Sequence, residues 1–171
     1  MSLGLKHGEN RLCLYSDDWP NQFRSEANRI IDVCGSFFLA IEHVGSTAVP
    51  GLTAKPIVDI LVGVSDLGIA EQMVPGMESI GYDYPGNIGI PGDRIFGRDP
   101  GFRLFLVHVV EHDSQRWTDY LHFRDALRAN KLLSEEYAKL KTEISEKHPE
   151  GRGIYAELKS DYISRVLMQQ R

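Results

Sequence analysis

The residues best suited to chemistry lie in two short runs, Glu42-His43-Val44-Gly45-Ser46-Thr47 and Lys55-Pro56-Ile57-Val58-Asp59-Ile60-Leu61-Val62. In the first, an apolar strand ends at Gly45, which lets the chain turn sharply and lets backbone approach a ligand. Ser46 and Thr47 then place hydroxyls beside backbone N–H groups, a combination that suits a phosphate. In the second, Pro56 forces extended geometry on Lys55 and puts its ammonium near the strand mouth, where it can meet an anion. The strand that follows carries one carboxylate, Asp59, among Ile, Val and Leu. A lone carboxylate there is costly unless it binds a metal or accepts hydrogen bonds. Metal-assisted handling of a phosphate is the chemistry such a set would support. The bland alternative is an ordinary turn, with Asp59 serving a loop N–H.

Other residues extend this set. Arg124 and Arg128 lie one helical turn apart and share a face, and Lys141 and Lys159 fall on the helices after them. Converging on the sheet mouth, the four would make an anion pocket, with Arg forks matched to phosphate oxygens. Solvated helix faces with acidic partners are the competing explanation. Glu42 would add a metal ligand oxygen from the neighbouring strand. His108 would add an imidazole, a better ligand for Zn²⁺ or Mn²⁺ than for Mg²⁺. His7, His112, His122 and His148 read as surface residues, and Trp19 and Trp117 as core anchors. Residues 86–101 read as a lid over the site, with Arg94, Arg98 and Arg103 placed to close on a phosphate or to remain solvated. No dinucleotide fingerprint follows a strand, and no G-x-S-x-G, H-E-x-x-H or P-loop pattern appears.

These residues need a scaffold. Ser16, Asp17 and Asp18, with Pro20, open a helix whose apolar positions are Phe23, Ala27, Ile30, Ile31 and Cys34, and Gly35 ends it. Strands are expected over 37–44, 56–64 and 104–111, the second covered on both faces. A helix is expected over 66–80. Residues 82–101 read as a loop with one short strand at 94–96. The C-terminal part is helical: one helix carries Trp117 and Leu127, a second is capped by Ser134, and a third spans 154–169. The three strands should lie in one mixed sheet with helices on one face, the first two antiparallel because their connection is short.

Bulk composition sets bounds. A chain of 171 residues suits one domain over 1–171, with a sheet core about 11–112 and a helical part about 114–170. The 42% hydrophobic and 25% charged content is that of a soluble protein with a sizeable core. A net charge of -5 argues against nonspecific nucleic-acid binding. No apolar run is long enough for a membrane span, and residues 1–10 lack a secretory pattern. Cys13 and Cys34 lack metal-ligand spacing and fit buried, reduced thiols, so a cytoplasmic location is expected.

Gly45-Ser46 followed by Asp59 in an apolar strand resembles the signature of the nucleotidyltransferase superfamily, where the Gly-Ser turn holds the triphosphate and a strand Asp-x-Asp pair binds divalent metal. More narrowly, His43-Val-Gly-Ser-Thr-Ala-Val-Pro-Gly-Leu-Thr-Ala-Lys-Pro-Ile-Val-Asp59 is similar to the hallmark of the GrpB-like family. The resemblance continues through Tyr15, Trp19-Pro20, Phe23, His108, Phe123-Arg124-Asp125, Leu127-Arg128, Tyr137, Leu140-Lys141 and Lys159-Ser160, and so covers nearly the full chain. It implies an α/β fold of the α+β type, a small mixed sheet of nucleotidyltransferase-like design with a helical C-terminal part. Joined to the residues above, it implies Asp59 and Ser46 as catalytic groups and Mg²⁺ or Mn²⁺ on Asp59, Glu42 and His108. Gly45, Ser46, Thr47, Lys55, Arg124, Arg128, Lys141 and Lys159 would hold a nucleotide or phosphorylated small molecule. A similar domain is fused to dephospho-coenzyme A kinases in some bacteria. Two departures matter. Leu61 stands where the superfamily has its second carboxylate, and Phe105 and Leu106 stand where relatives tend to carry histidine. The expected function is therefore nucleotide or phosphate binding with metal-dependent nucleotidyl or phosphoryl transfer. The alternative is a degenerate binding or helper domain without turnover, which Leu61 favours; a purely structural role is a weaker third.

Overall fold

The computed structural model describes residues 3–6, 8–86, 92–99, 101–148 and 152–169. In chain order its elements are β1 (Leu5–Lys6), α1 (Trp19–Cys34), β2 (Ala40–Val44), β3 (Val58–Val64), α2 (Ile69–Ser79), β4 (Tyr82–Gly86), β5 (Arg94–Arg98), β6 (Phe102–Arg103), β7 (Phe105–Glu111), α3 (Gln115–Ala129), α4 (Lys131–Lys147) and α5 (Arg152–Gln169). The main sheet has the order β2-β3-β7-β5-β4, and β1 and β6 form a separate two-stranded ribbon. β2 runs antiparallel to β3, as the short connection requires, and β3 runs parallel to β7. The expected mixed sheet with a helical C-terminal part is what the chain forms.

Alternation along β3 assigns its side chains to two faces. Val58, Ile60, Val62 and Val64 are fully buried in a core shared with Trp19, Ile30, Met73 and Met77 from α1 and α2. Leu61 points the other way, into a smaller cluster with Val44, Val110 and Trp117 of α3. Helices therefore cover both faces of the sheet, not one. The reason is visible in β3 itself, which is apolar on both sides and must be covered twice. A third cluster packs Val49 and Leu52 of the turn region against Leu127, Tyr137, Tyr162 and Val166 of α3, α4 and α5. Hydrophobic contact thus fixes the turn against the C-terminal helices.

Other expectations need correction. Residues 82–101 hold β4 and β5, a paired antiparallel ribbon with a register shift between Asp83 and Gly86. Their Gly, Pro and Asp content hid it, yet Pro85 is tolerated because β4 is an edge strand. Residues 87–91 and 100 of the expected lid lie outside the described residues, as does His7. Arg94, Arg98 and Arg103 are engaged within the fold, pairing with Glu71, Glu26 and Asp83 at 3.7, 2.7 and 2.6 Å. The second C-terminal helix starts earlier than expected, because Asn130 caps it by accepting the Leu133 N–H at 3.2 Å. Ser134 is left on the face of α4. The first strand is shorter than expected, since Gly35–Phe37 forms a 3-10 turn. Trp19 and Trp117 are buried as anchors, and both cysteines are buried and free. His122 is exposed, whereas His112 and His148 are half-buried. Among the described residues no helix is long and apolar enough to cross a membrane.

Leu61→Asp should destabilise the chain by about 3 kcal/mol or more, because it puts a carboxylate at a fully buried position against Trp117 and Val110. Chemical denaturation checks this; a loss below about 1 kcal/mol would mean that the position is not the dry one described.

Candidate functional site

The site begins at the end of β2. Gly45 has φ 70° and ψ -171°, and the chain then winds into a 3-10 turn over Ser46–Ala48. A Cβ at Gly45 would stand 2.3 Å from Oδ2 of Asp59. Glycine is therefore required twice, for the positive φ and for the carboxylate packed under the turn. Asp59 lies at the start of β3, opposite Val44, and its side chain is 29% exposed. It does not point into a dry core.

From the other side comes Lys141 of α4. Its ammonium is buried and donates to Ser46 Oγ at 2.9 Å and to the Thr53 carbonyl, while lying 4.8 Å from the Tyr137 ring centre. Burial pushes its pKa down to about 7, with the Lys159 and Lys55 ammoniums adding to the drop and Asp59 opposing it. Lys159, half-buried on α5, is lowered by burial as well, again opposed by Asp59. Among the described residues, Lys141 is thus within electrostatic reach of Lys159, Asp59 and Lys55, and Lys159 within reach of Asp59. Lys55 also donates to Asn10 Oδ1 at 2.6 Å. That asparagine fastens the N-terminal lead to the end of α4, through its Nδ2 to the His148 carbonyl at 2.9 Å and its carbonyl to Ser145 Oγ at 2.6 Å.

The arginines are used differently. Arg124 donates to Glu42 at 2.8 Å, to the His43 carbonyl at 3.0 Å and to Asp125 at 2.8 Å. Arg128 donates to the Ala48 carbonyl at 2.8 Å. Both brace the turn from outside. Thr47 is buried and bonded to His43 Nε2 at 3.0 Å, so its hydroxyl is committed within the fold.

The carboxylate side holds a network that the sequence did not announce. His108 Nε2 lies 3.6 Å from Asp59 Oδ1, and its Nδ1 lies 3.3 Å from Asp93 Oδ2 and 3.0 Å from the Tyr120 hydroxyl. Asp93 has no side-chain exposure and also accepts from Arg116 at 2.6 Å and Tyr120 at 2.7 Å. Burial alone would lower the pKa of His108; the flanking carboxylates of Asp59 and Asp93 outweigh it and raise it to about 9. Burial likewise acts to raise Asp93, but its donors hold it below the usual carboxylate range. Asp93 lies in a stretch that the sequence reads as loop, and Arg116 and Tyr120 of α3 belong to no motif there, so none of the three was singled out. Their spacing, one turn apart on α3, was the available signal.

Glu42, Asp59 and His108 do not form one ligand set. Strand register puts Glu42, Leu61 and His108 in one row, with fully buried Leu61 between the other two, and Glu42 is turned to Arg124. Among the described residues no three His, Cys, Asp or Glu side chains converge on a metal position. Two adjacent Mg²⁺ ions need several oxygens to hold them, and this donor set does not fit a pair. One Mg²⁺ or Mn²⁺ is a different matter, because such an ion is often held by a single carboxylate together with substrate phosphates. A separate cavity of about 530 Å³ lies across the turn, lined by His43, Ala48, Gly51 and Arg128 among others, not by Ser46 or Asp59.

Comparison with known proteins accords with this architecture. Residues 10–169 match the GrpB protein family. The glutamate-rich protein GrpB of Alkalihalophilus pseudofirmus is 33% identical over 170 residues, covering 96% of this chain and 98% of that protein. The crystal structure of conserved protein GrpB from Enterococcus faecalis superposes with a TM-score of 0.85 at 32% identity, over 93% of this chain and 96% of that one. A dephospho-CoA kinase of Mycobacterium bovis is 29% identical over 157 residues, covering 77% of this chain and 38% of the kinase. The chain belongs to the GrpB family.

Proposed function

We propose that this chain is a nucleotidyltransferase-like domain that binds a nucleotide or phosphorylated small molecule at the Gly45–Ser46 turn. The observation that carries this is the buried Lys141 ammonium on Ser46, with Lys55 and Lys159 beside it. The Lys159 and Lys55 charges act against the Lys141 ammonium, and a phosphate among them would relieve that repulsion. Ser46 and Lys141 would bind the phosphate, and Lys55 and Lys159 would neutralise it. Asp59 would hold one Mg²⁺ or Mn²⁺ arriving with the ligand, an ion that would offset phosphate charge.

Binding without transfer is the form of this function that we favour. A transferase using Asp59 and Ser46 with two metals would need an oxygen ligand where Leu61 stands, and Leu61 packs on Trp117. The likeness to a dephospho-CoA kinase, of which this chain spans a minor part, supports a helper role beside an enzyme.

Removing the ammonium should weaken tripolyphosphate binding about ten- to a hundredfold in Lys141→Met, the range expected for one charge-assisted hydrogen bond. The pH dependence has a definite sign. With a pKa of about 7 in the free protein, Lys141 loses its proton as the pH rises, so affinity should fall between pH 7 and 9, approaching about tenfold per unit. Calorimetric titration reads both, and a flat profile with an unchanged Lys141→Met would refute the assignment.

Asp59→Asn separates the roles of carboxylate and metal. Without metal, Asp59 repels the phosphate, so the variant should bind a nucleoside triphosphate more tightly in EDTA. With Mg²⁺ present the order should reverse, because the carboxylate that would hold the ion is lost. Equal affinities of variant and parent under both conditions would remove Asp59 from the site. Steady turnover of a triphosphate by the parent, abolished in Asp59→Asn, would instead establish a transferase.

A further inference from the structure

Arg124 and Arg128 share one face of α3 but are not equally satisfied. Arg124 meets the Glu42 and Asp125 carboxylates at 2.8 Å each. Burial acts to lower its pKa, and these partners outweigh it and raise it. Arg128 gives its Nε to the Ala48 carbonyl, a neutral acceptor. It approaches the Asp125 carboxylate only to 3.5 Å, and that group already accepts twice from Arg124. Burial and the Arg124 charge lower the pKa of Arg128, opposed by Asp125, Glu42 and Tyr15. Of the two guanidiniums, Arg128 is the one short of negative charge.

Arg128 lines the cavity of about 530 Å³, and its side chain is 40% exposed. That volume is the size of a site for a small organic ligand. Tyr15, Pro50 and Leu127 give it apolar walls. Tyr15 and His43 both lie within electrostatic reach of Arg128. A guanidinium, a phenol and an imidazole thus converge on one space. Lys131 and Glu135, both exposed, also line it and pair with each other at 3.6 Å.

The walls are held from outside. Tyr15 meets Trp19 edge-on, with ring centres 5.2 Å apart, and His43 stacks on Phe23 at 4.8 Å and is bonded to Thr47. A ligand therefore meets preformed surfaces and loses little free energy in ordering them. Sheet register sets this cavity apart from Asp59. His43 pairs with Ile60 and Val44 with Asp59, so His43 and Asp59 project from opposite faces. Burial lowers the pKa of His43 to about 4, so its ring is uncharged at neutral pH. Arg128 therefore supplies the cavity's uncompensated charge, since Lys131 is met by Glu135. A monoanion matches it, whereas a phosphate dianion would leave a charge unmet. The guanidinium fork fits a planar carboxylate, and the apolar walls call for a carbon body.

We propose that this cavity binds a small aromatic monocarboxylate, with its carboxylate on the terminal nitrogens of Arg128 and its ring against Tyr15, Pro50 and Leu127. The site is independent of the phosphate site at the Gly45–Ser46 turn. The Tyr15 hydroxyl can donate to the same carboxylate, and its ring offers the edge or face that an aromatic body prefers.

The test titrates benzoate, phenylacetate and cinnamate, each beside its uncharged amide, into the full chain at neutral pH. At least one acid should bind about ten- to a hundredfold more tightly than its amide, the range for a charge-assisted pair. Ser134→Trp, which fills the cavity from α4, should remove that preference. Arg128→Lys keeps the charge but loses the planar fork, and should reduce the preference about tenfold. With a circular dichroism spectrum like the parent's, it also guards against misfolding of the tryptophan variant. The proposal is overturned if no acid exceeds its amide, or if the preference survives undiminished in either variant. Displacement of the acid by tripolyphosphate would place it at Lys141 and overturn the proposal as well.

Discussion

A buried ammonium organises this molecule. Lys141 lies among the third apolar cluster, and a cation there is tolerated only because the Ser46 hydroxyl, the Thr53 carbonyl and the Tyr137 ring surround it. To meet it, the chain must turn sharply after β2 and present Ser46 inward. That turn is open only to glycine, because Gly45 has positive φ and Asp59 lies beneath it. The packing of Val49 and Leu52 on α3, α4 and α5 then locks the turn to the helices that carry the cations.

The opposite side of the site is set by sheet register. The parallel pairing of β3 with β7 puts Asp59 and His108 on one face, one row apart. Leu61, in register with His108, fills the place where a second carboxylate would be needed for two-metal chemistry. His108 is then left between Asp59 and Asp93, with Arg116 balancing Asp93. Among the described residues Asp93 is paired by Arg116 and Asp59 faces His108, while Lys141, with Lys55 and Lys159 in its electrostatic reach, lies across the turn.

Much of this was legible before any coordinates. The apolar run of β3, the Gly45 turn and the spacing of α1 determine their elements through burial period and backbone freedom, which are local properties. Lys141 and Ser46, grouped from the sequence with Asp59, Lys55 and Lys159, do come into contact, and those three lie close enough to act on the Lys141 ammonium. Arg124 and Arg128 do share a face, and it is turned to Glu42 and to the His43 and Ala48 carbonyls: helix periodicity shows that two residues share a face, but not which backbone carbonyls that face will meet. The β4–β5 ribbon was obscured because its Gly and Pro are tolerated only by its place at the sheet edge, a tertiary fact. Asp93 became legible only once β5 and β7 were paired, and with it the environment of His108.

The central claim is that phosphate is held between the turn and the lysines. A crystal structure of the full chain grown with a nucleoside triphosphate and Mg²⁺ tests it most directly. The account predicts phosphate oxygens within hydrogen-bonding distance of Ser46 Oγ and Lys141 Nζ, with Asp59 on the metal side. A triphosphate bound elsewhere, with Lys141 still closed on Ser46 and Thr53 as it is now, would contradict it.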